Sequence, residues 1–401
     1  MNILFYCNEY PPYPSGGIGS VTKIVAEELA KKGHQIYIIG YYPSSKDLQE
    51  KSIINGVTIF RYNRNYRNRF LGLSYFKFLN KIHLVRKIIQ KEITFIENKI
   101  DEIIQTYKID ILELTDFYDF NYYNASNLKY KKFSIPTILR IHGCVSFLYA
   151  LKKINNRIAY KNDASHFARC NYISSVSQFS LKYIKENFNT NNFKKTFIIY
   201  NPIEDSFLQK NKKEPQNYIL FIGKLTESKG CYSLLKAFNI LAEKIPGIQL
   251  KLIGKGDLKK AQSFITPKYK HQVDFLGYCD RERIKNEIDN CLFACIPTFF
   301  ENFSMVALEI MGRNKALIYT NTTSGNETIK NEVDGYTVSP QAIEEIAKLM
   351  ENLYLDKNKR EYIANNAYEK VKNNFAVSHI IPLIEKEYNT IIIENSHTNI
   401  L

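Results

Sequence analysis

The sequence has no apolar run near the roughly 18 residues that a membrane-spanning helix requires. Its longest, such as Tyr218–Gly223 and Leu292–Pro297, are the size of strands. It has no basic leader and no cleavage site: Met1-Asn2 runs straight into Ile3-Leu4-Phe5-Tyr6, so no signal peptide is predicted. It has no CxxC pair. The seven cysteines are scattered at 7, 144, 170, 231, 279, 291 and 295, and Cys291 and Cys295 are expected on one face of an apolar strand. Buried, inert thiols fit that pattern better than metal ligands, and an odd count of unpaired thiols fits the reducing cytoplasm. Acid is in short supply, leaving a formal net charge of +15. Nucleic acid, anionic lipid or a polyphosphate-like substrate would each suit that sign.

What is there is enough for two cores: 401 residues, 45% of them hydrophobic. Strand and helix signals alternate along both halves. In the first, Asn2–Cys7, Gln35–Tyr41, Val57–Arg61, Ile109–Leu114, Thr137–His142 and Tyr172–Val176 read as strands. Val21, Ile24, Val25 and Leu29 mark a helix that Gly33 stops. A longer helix is predicted over about 74–107, its stripe running from Phe78 and Ile82 through Val85, Ile89, Ile93 and Ile96 to Ile100. Asn201–Asn217, polar and without periodicity, reads as an interdomain linker. The second half repeats the pattern with strands at Tyr218–Gly223, Gln249–Ile253, Val273–Phe275, Leu292–Pro297 and Ala316–Thr320. This is an α/β chain, predicted as two Rossmann-like, doubly wound domains with a cleft at the carboxyl ends of their strands.

Four motifs sit at those strand ends. Ser15-Gly16-Gly17-Ile18-Gly19-Ser20 opens the first helix, where glycines let a backbone approach an anion. Thr22 stands where a dinucleotide fingerprint needs Gly or Ala, which disfavours a nucleotide-cofactor oxidoreductase. Lys224 and Lys229 straddle the turn after Tyr218–Gly223; they read as a diphosphate clamp or as two solvated lysines. Gly254-Lys255-Gly256-Asp257 is a supporting glycine turn. The fourth motif runs from Pro297 to Glu309. Glu301 lies in the loop after a strand, Glu309 lies about a turn and a half into the next helix, and the amides of Asn302, Phe303, Ser304 and Met305 lie between. Two carboxylates beside a helix start suit sugar hydroxyls while amides suit phosphate. The plainer reading is that Glu301 favours the helix start electrostatically and Glu309 lies on a solvated face.

Together these residues resemble the retaining glycosyltransferases of family 4, which have the GT-B fold. The resemblance runs from Ile3 to about Phe375 and is carried by NEYPPYPSGGIG (8–19), FIGKLTESKG (221–230), LIGKGD (252–257), VDFLGY (273–278), ENFSMVALE (301–309) and NEVDGYTV (331–338). It implies an acceptor domain over 1–200, a nucleotide-sugar donor domain over 201–375, and a C-terminal helix within 376–401 packing back on the first domain. It implies that Gly16, Gly17, Lys224 and Lys229 approach the donor diphosphate. Glu301 would hold the donor sugar, Glu309 the ribose, and Ser304 and Met305 would lend amides. His142, in Arg140-Ile141-His142-Gly143-Cys144, would stand near the reacting centre. His142, Glu301 and Lys229 are thus the catalytic candidates, and no metal or cofactor is expected. The chain departs from the family in three places. Lys224 stands where Arg is commoner, Met311–Lys315 replaces a run of small residues, and Thr323-Ser324 replaces a glycine pair.

The implied reaction moves a sugar from a nucleotide-sugar to an acceptor hydroxyl of a glycan or glycolipid, in cell-envelope polysaccharide or lipopolysaccharide synthesis. A non-catalytic sugar- or nucleotide-binding protein of the same fold is the rival. Residues 61–91 add a second feature: Arg61, Arg64, Arg67, Arg69, Lys77, Lys81, Arg86, Lys87 and Lys91, interleaved with aromatics and without one acid. That pattern suits an anionic membrane surface, and so a cytoplasmic protein peripheral on the inner membrane face, better than single-stranded nucleic acid. A solvated outer helix face is the alternative.

Overall fold

A computed structural model describes residues 1–12, 16–42, 50–63, 84–117, 120, 125–210 and 214–398. The chain divides into two compact units, Met1–Pro202 together with Ile380–Leu401, and Ile203–His379.

Among the described residues the first unit holds an eight-stranded sheet in the order β3-β4-β2-β1-β5-β6-β7-β8. Its strands are β1 (Asn2–Tyr6), β2 (Gln35–Tyr42), β3 (Lys51–Ile54), β4 (Val57–Asn63), β5 (Ile111–Thr115), β6 (Thr137–Ile141), β7 (Tyr172–Ser175) and β8 (Lys195–Ile198). Every pairing is parallel except β3 with β4. The inner strands are covered on both faces, which is why they read as unbroken apolar runs. The helix Gly17–Lys31 lays Val21, Ile24, Val25 and Leu29 inward and ends where Gly33 takes φ +91. The edge strand β3 escaped the sequence reading, although Asn55-Gly56, both at positive φ, is a strong two-residue hairpin signal.

The long helix is described over Leu84–Tyr107, and Val85, Ile89, Ile93, Ile96 and Ile100 of its stripe are buried. Phe78 and Ile82 lie outside the described residues, as do Arg64, Arg67, Arg69, Lys77 and Lys81 of the basic segment. Arg61 does not belong to an exposed patch. It is 5% exposed, lies over the Tyr42 ring and bonds the Ser52 hydroxyl at 2.5 Å.

The second unit carries, among the described residues, a six-stranded parallel sheet in the order β11-β10-β9-β12-β13-β14. Its strands are β9 (Tyr218–Ile222), β10 (Gln249–Ile253), β11 (Val273–Gly277), β12 (Phe293–Ile296), β13 (Leu317–Thr320) and β14 (Tyr336–Val338). Cys291 precedes β12 as the residue closing the helix Arg281–Asn290, so it does not share a strand face with Cys295.

The start of the expected linker is packed structure. Ile203 bridges to Ala376, and Phe207 is 1% exposed. Two apolar anchors among polar neighbours leave no periodicity to read. Here the unusual Met311–Lys315 segment acquires a purpose. Arg313 binds Asp289 and donates to the Ser206 carbonyl at 3.1 Å, while Lys315 donates to the Cys291 carbonyl at 2.8 Å. The helix Val377–Thr398 contributes Ile380, Ile384, Tyr388 and Ile391 to buried positions.

Candidate active site

The sheet order of the second unit diverges between β9 and β12: the chain leaves β9 toward β10 and returns beyond it to β12. The carboxyl end of such a switch point is where open α/β sheets bind ligands. Two sequence motifs meet there. After β9 the chain makes a short turn, Glu227–Lys229, and reaches Gly230 at φ +72. A β-carbon on Gly230 would lie 1.9 Å from the Pro297 carbonyl oxygen, so only glycine lets this turn rest on the end of β12. The two loops are then stitched together: the Phe299 amide and the Thr298 hydroxyl each donate to the Ser228 carbonyl at 3.0 Å. That brings Lys229 Nζ to 2.6 Å from Glu301 Oε2. Lys224 is exposed and forms no ion pair among the described residues.

The glycine turn after β10 props the same place. Gly254, at φ +146, would carry a β-carbon 1.9 Å from the Gly223 carbonyl oxygen, and the Leu225 amide donates to the Lys255 carbonyl at 2.9 Å. Its role here is support, and Asp257 caps the helix that follows.

The helix Met305–Gly312 starts at Ser304, whose hydroxyl accepts from the Ala307 amide at 3.3 Å. Ser304 is therefore the cap, and Glu301 reaches across to Lys229. Asn302, Phe303 and Ser304 are buried; Met305 is half-buried. Glu309 is 7% exposed, which removes the solvated-face reading. Burial pushes its carboxyl up to about 7, opposed by Arg281 at 3.7 Å and reinforced by the nearby Glu204. Arg281 binds Glu204 at 2.9 Å. Nothing in local spacing connects Glu204, Arg281 and Glu309; three separate segments must fold before they meet.

In the first unit the corresponding divergence lies between β1 and β5. The helix beginning at Gly17 follows β1, with Gly16 as its cap. The Gly16 and Gly19 amides already have an acceptor: Glu9 Oε2 lies at 3.0 and 3.4 Å. A β-carbon on Gly16 would press on that carboxylate at 2.9 Å. Glu9 is an internal anion at the helix start, and the sequence reading missed it. His142 follows β6. Its amide and that of Gly143 each donate to the Asp116 carboxylate at 2.9 Å. Burial pushes Asp116 up to about 7 against those two amides, with Asp163 adding to the rise. Burial also lowers the His142 imidazole to about 3, with Arg140 contributing, so the ring is neutral at physiological pH. Among the described residues no three His, Cys, Asp or Glu side chains gather as a metal site would require.

Two family models match successive stretches of the chain: Glycosyltransferase Family 4 over residues 15–207, and Glycosyl transferases group 1 over residues 202–370. The chain belongs to the family 4, group 1 glycosyltransferases. An uncharacterized glycosyltransferase of Methanocaldococcus jannaschii is 27% identical over 95% of this chain and 96% of its own length. The capsular polysaccharide biosynthesis glycosyltransferase CapM of Staphylococcus aureus is 26% identical over 51% of this chain and 53% of its own. The crystal structure of Anabaena Alr3699/HepE, in complex with UDP and glucose, superposes with a TM-score of 0.69 at 18% identity, covering 97% of this chain and 99% of that one. The fold of this glycosyltransferase is GT-B, with a sheet in the first unit that is parallel except for β3 and a parallel sheet in the second. Lys224, Lys229, Glu301 and Glu309 fall in the group 1 stretch; Gly16, Gly17 and His142 fall in the family 4 stretch. No helix among the described residues is long and apolar enough to cross a membrane.

Proposed function

We propose that this glycosyltransferase moves a sugar from a nucleotide-sugar to a glycan or glycolipid hydroxyl, with retention of anomeric configuration, in the synthesis of a cell-envelope polysaccharide. The observation that carries the reading is the Lys229–Glu301 pair at the β9/β12 switch point. Each partner holds the place of half a donor. A diphosphate replaces the carboxylate as the anion on Lys229, and sugar hydroxyls replace the ammonium as donors to Glu301. Glu309 then takes the ribose hydroxyls. Charge that develops on the departing diphosphate is met by Lys224, by Lys229, which the Glu301 pair already positions, and by the amides at the start of the helix Met305–Gly312. For the first unit the proposal assigns neutral His142 to the reacting centre and Gly16 and Gly17 to the diphosphate, where Glu9 must give way.

The capsular relative supports a polysaccharide product, and the UDP and glucose in the Anabaena structure support a nucleoside diphosphate-sugar as donor. The test is a mass-spectrometric screen of nucleotide-sugars for hydrolysis or transfer, with the product anomer read by proton NMR. One donor should release its nucleoside diphosphate and give a product of unchanged anomeric configuration. A thermal shift with NAD, and none with any nucleoside diphosphate, would overturn the reading.

A further inference from the structure

The residue that fixes the Glu301 loop lies neither in that loop nor in the lysine turn. It lies after β13, in Thr322-Thr323-Ser324. Thr323 has φ +53, a left-handed backbone that β-branched residues rarely adopt. Such strain persists only where the surroundings over-determine it. What Thr323 obtains there is specific. Its hydroxyl donates to the Glu301 carbonyl at 2.6 Å and accepts from the Glu301 amide at 3.4 Å. The Ser324 hydroxyl reaches the same carbonyl at 3.2 Å, and the Thr322 hydroxyl donates to the Phe299 carbonyl at 3.2 Å. A β-carbon on the next residue, Gly325, would lie 1.9 Å from the Thr320 carbonyl oxygen, so the turn is seated close against the end of β13.

We propose that Thr323 is a positioning residue: its hydroxyl clasps the peptide groups on both sides of the Glu301 α-carbon, fixing the direction in which that carboxylate meets the donor sugar. Ser228 holds the loop from the opposite side through Phe299 and Thr298, so residues 298–301 are gripped between two turns. Glycine at 323 would adopt the same backbone without strain, but it would leave the Glu301 carbonyl held by Ser324 alone and the Glu301 amide without the Thr323 acceptor. This chain keeps the strained threonine and with it the second hydroxyl. The proposal rests on the assignment of Glu301 to the donor sugar.

The test uses the full chain and three variants. Thr323→Ser keeps the hydroxyl, Thr323→Val keeps the shape without it, and Thr323→Gly relieves the backbone and deletes it. Hydrogen exchange of residues 298–303, followed by mass spectrometry without any donor, should quicken about tenfold in Thr323→Gly and Thr323→Val and stay unchanged in Thr323→Ser. With the nucleotide-sugar found by the screen, kcat should fall about tenfold in the same two variants, with the affinity for that donor's nucleoside diphosphate unchanged and Thr323→Ser at the wild-type rate. Unchanged exchange in Thr323→Gly would overturn the clasp. Faster exchange with full kcat would overturn the positioning role. Glu301→Gln separates the two readings: if it retains full activity, the Glu301 assignment is what fails.

Discussion

Lys229 and Glu301 are both partly exposed, so their ion pair adds little to stability; its importance is in what replaces it. Lys229→Ala should therefore fold normally and lower transfer at least about 100-fold, since one preorganised charge contact is worth about 2.7–4 kcal/mol at a developing anion. Near-normal turnover would remove Lys229 from the mechanism. Lys224→Arg should be tolerated, because a guanidinium offers the same charge on a wider fork. Transfer should survive EDTA, because these cations neutralise the diphosphate; loss restored by Mg²⁺ or Mn²⁺ would show otherwise. Glu309 behaves differently. Its carboxyl is raised to about 7, so the fold favours the neutral form. That contribution is complete below the ordinary carboxylate range and is lost as pH rises through 7, a loss on the order of 3 kcal/mol. Glu309→Gln should melt above wild type at pH 8 and level with it at pH 4. The same variant should bind nucleoside diphosphate more weakly if the carboxylate holds ribose.

At the scale of elements, the helix Val377–Thr398 is the clearest case of chain ends meeting within one unit. Lys195 pairs with Glu387 at 2.5 Å, His34 with Glu385 at 2.8 Å, and Asn395 donates to the Tyr172 hydroxyl at 2.6 Å. Tyr388 donates to Glu113, a carboxyl raised by burial and opposed in that by Arg140 and by Tyr388 itself. Tyr388→Ala would empty a fully buried ring site and leave Glu113 without that donor. It should destabilise the first unit by about 3–5 kcal/mol. Denaturation monitored by hydrogen exchange in β5 and β6 would show it; unchanged protection there would mean that the helix is an ornament to the sheet.

At the scale of the whole molecule, a net charge of +15 makes association with anionic surfaces a matter of ionic strength. Basic residues near an anionic bilayer contribute about 1 kcal/mol each. Salt-sensitive co-sedimentation with anionic vesicles, and weak binding to neutral ones, is the expected outcome for residues 61–91. Arg64, Arg67 and Arg69 changed together to Glu should abolish it without touching donor hydrolysis. If the triple variant sediments like wild type, the acceptor is met in solution. Arg61 takes no part in this, being tied to Ser52 and Tyr42 inside the unit.

Local chemistry determined what needed only near neighbours. Apolar runs set the strands β1, β2, β9, β10 and β12, the 3.6-residue stripe set Gly17–Lys31, and glycines placed turns at strand ends. The motif 301–309 was legible because loop, cap and helix follow one another along the chain. Strand β8, the anchors Ile203 and Phe207, and the burial of Arg61 were not. Short or polar-rich segments carry too little period to read, and a buried arginine looks like an exposed one until its partners arrive. Tertiary structure alone decided that Glu301 faces Lys229 across 72 positions, that Glu9 occupies the amides of the glycine turn, and that Arg281 and Glu204 surround Glu309. The Lys229–Glu301 contact joins the ends of β9 and β12, which are neighbours only because the sheet winds in both directions from its centre, an order that no local run of residues encodes.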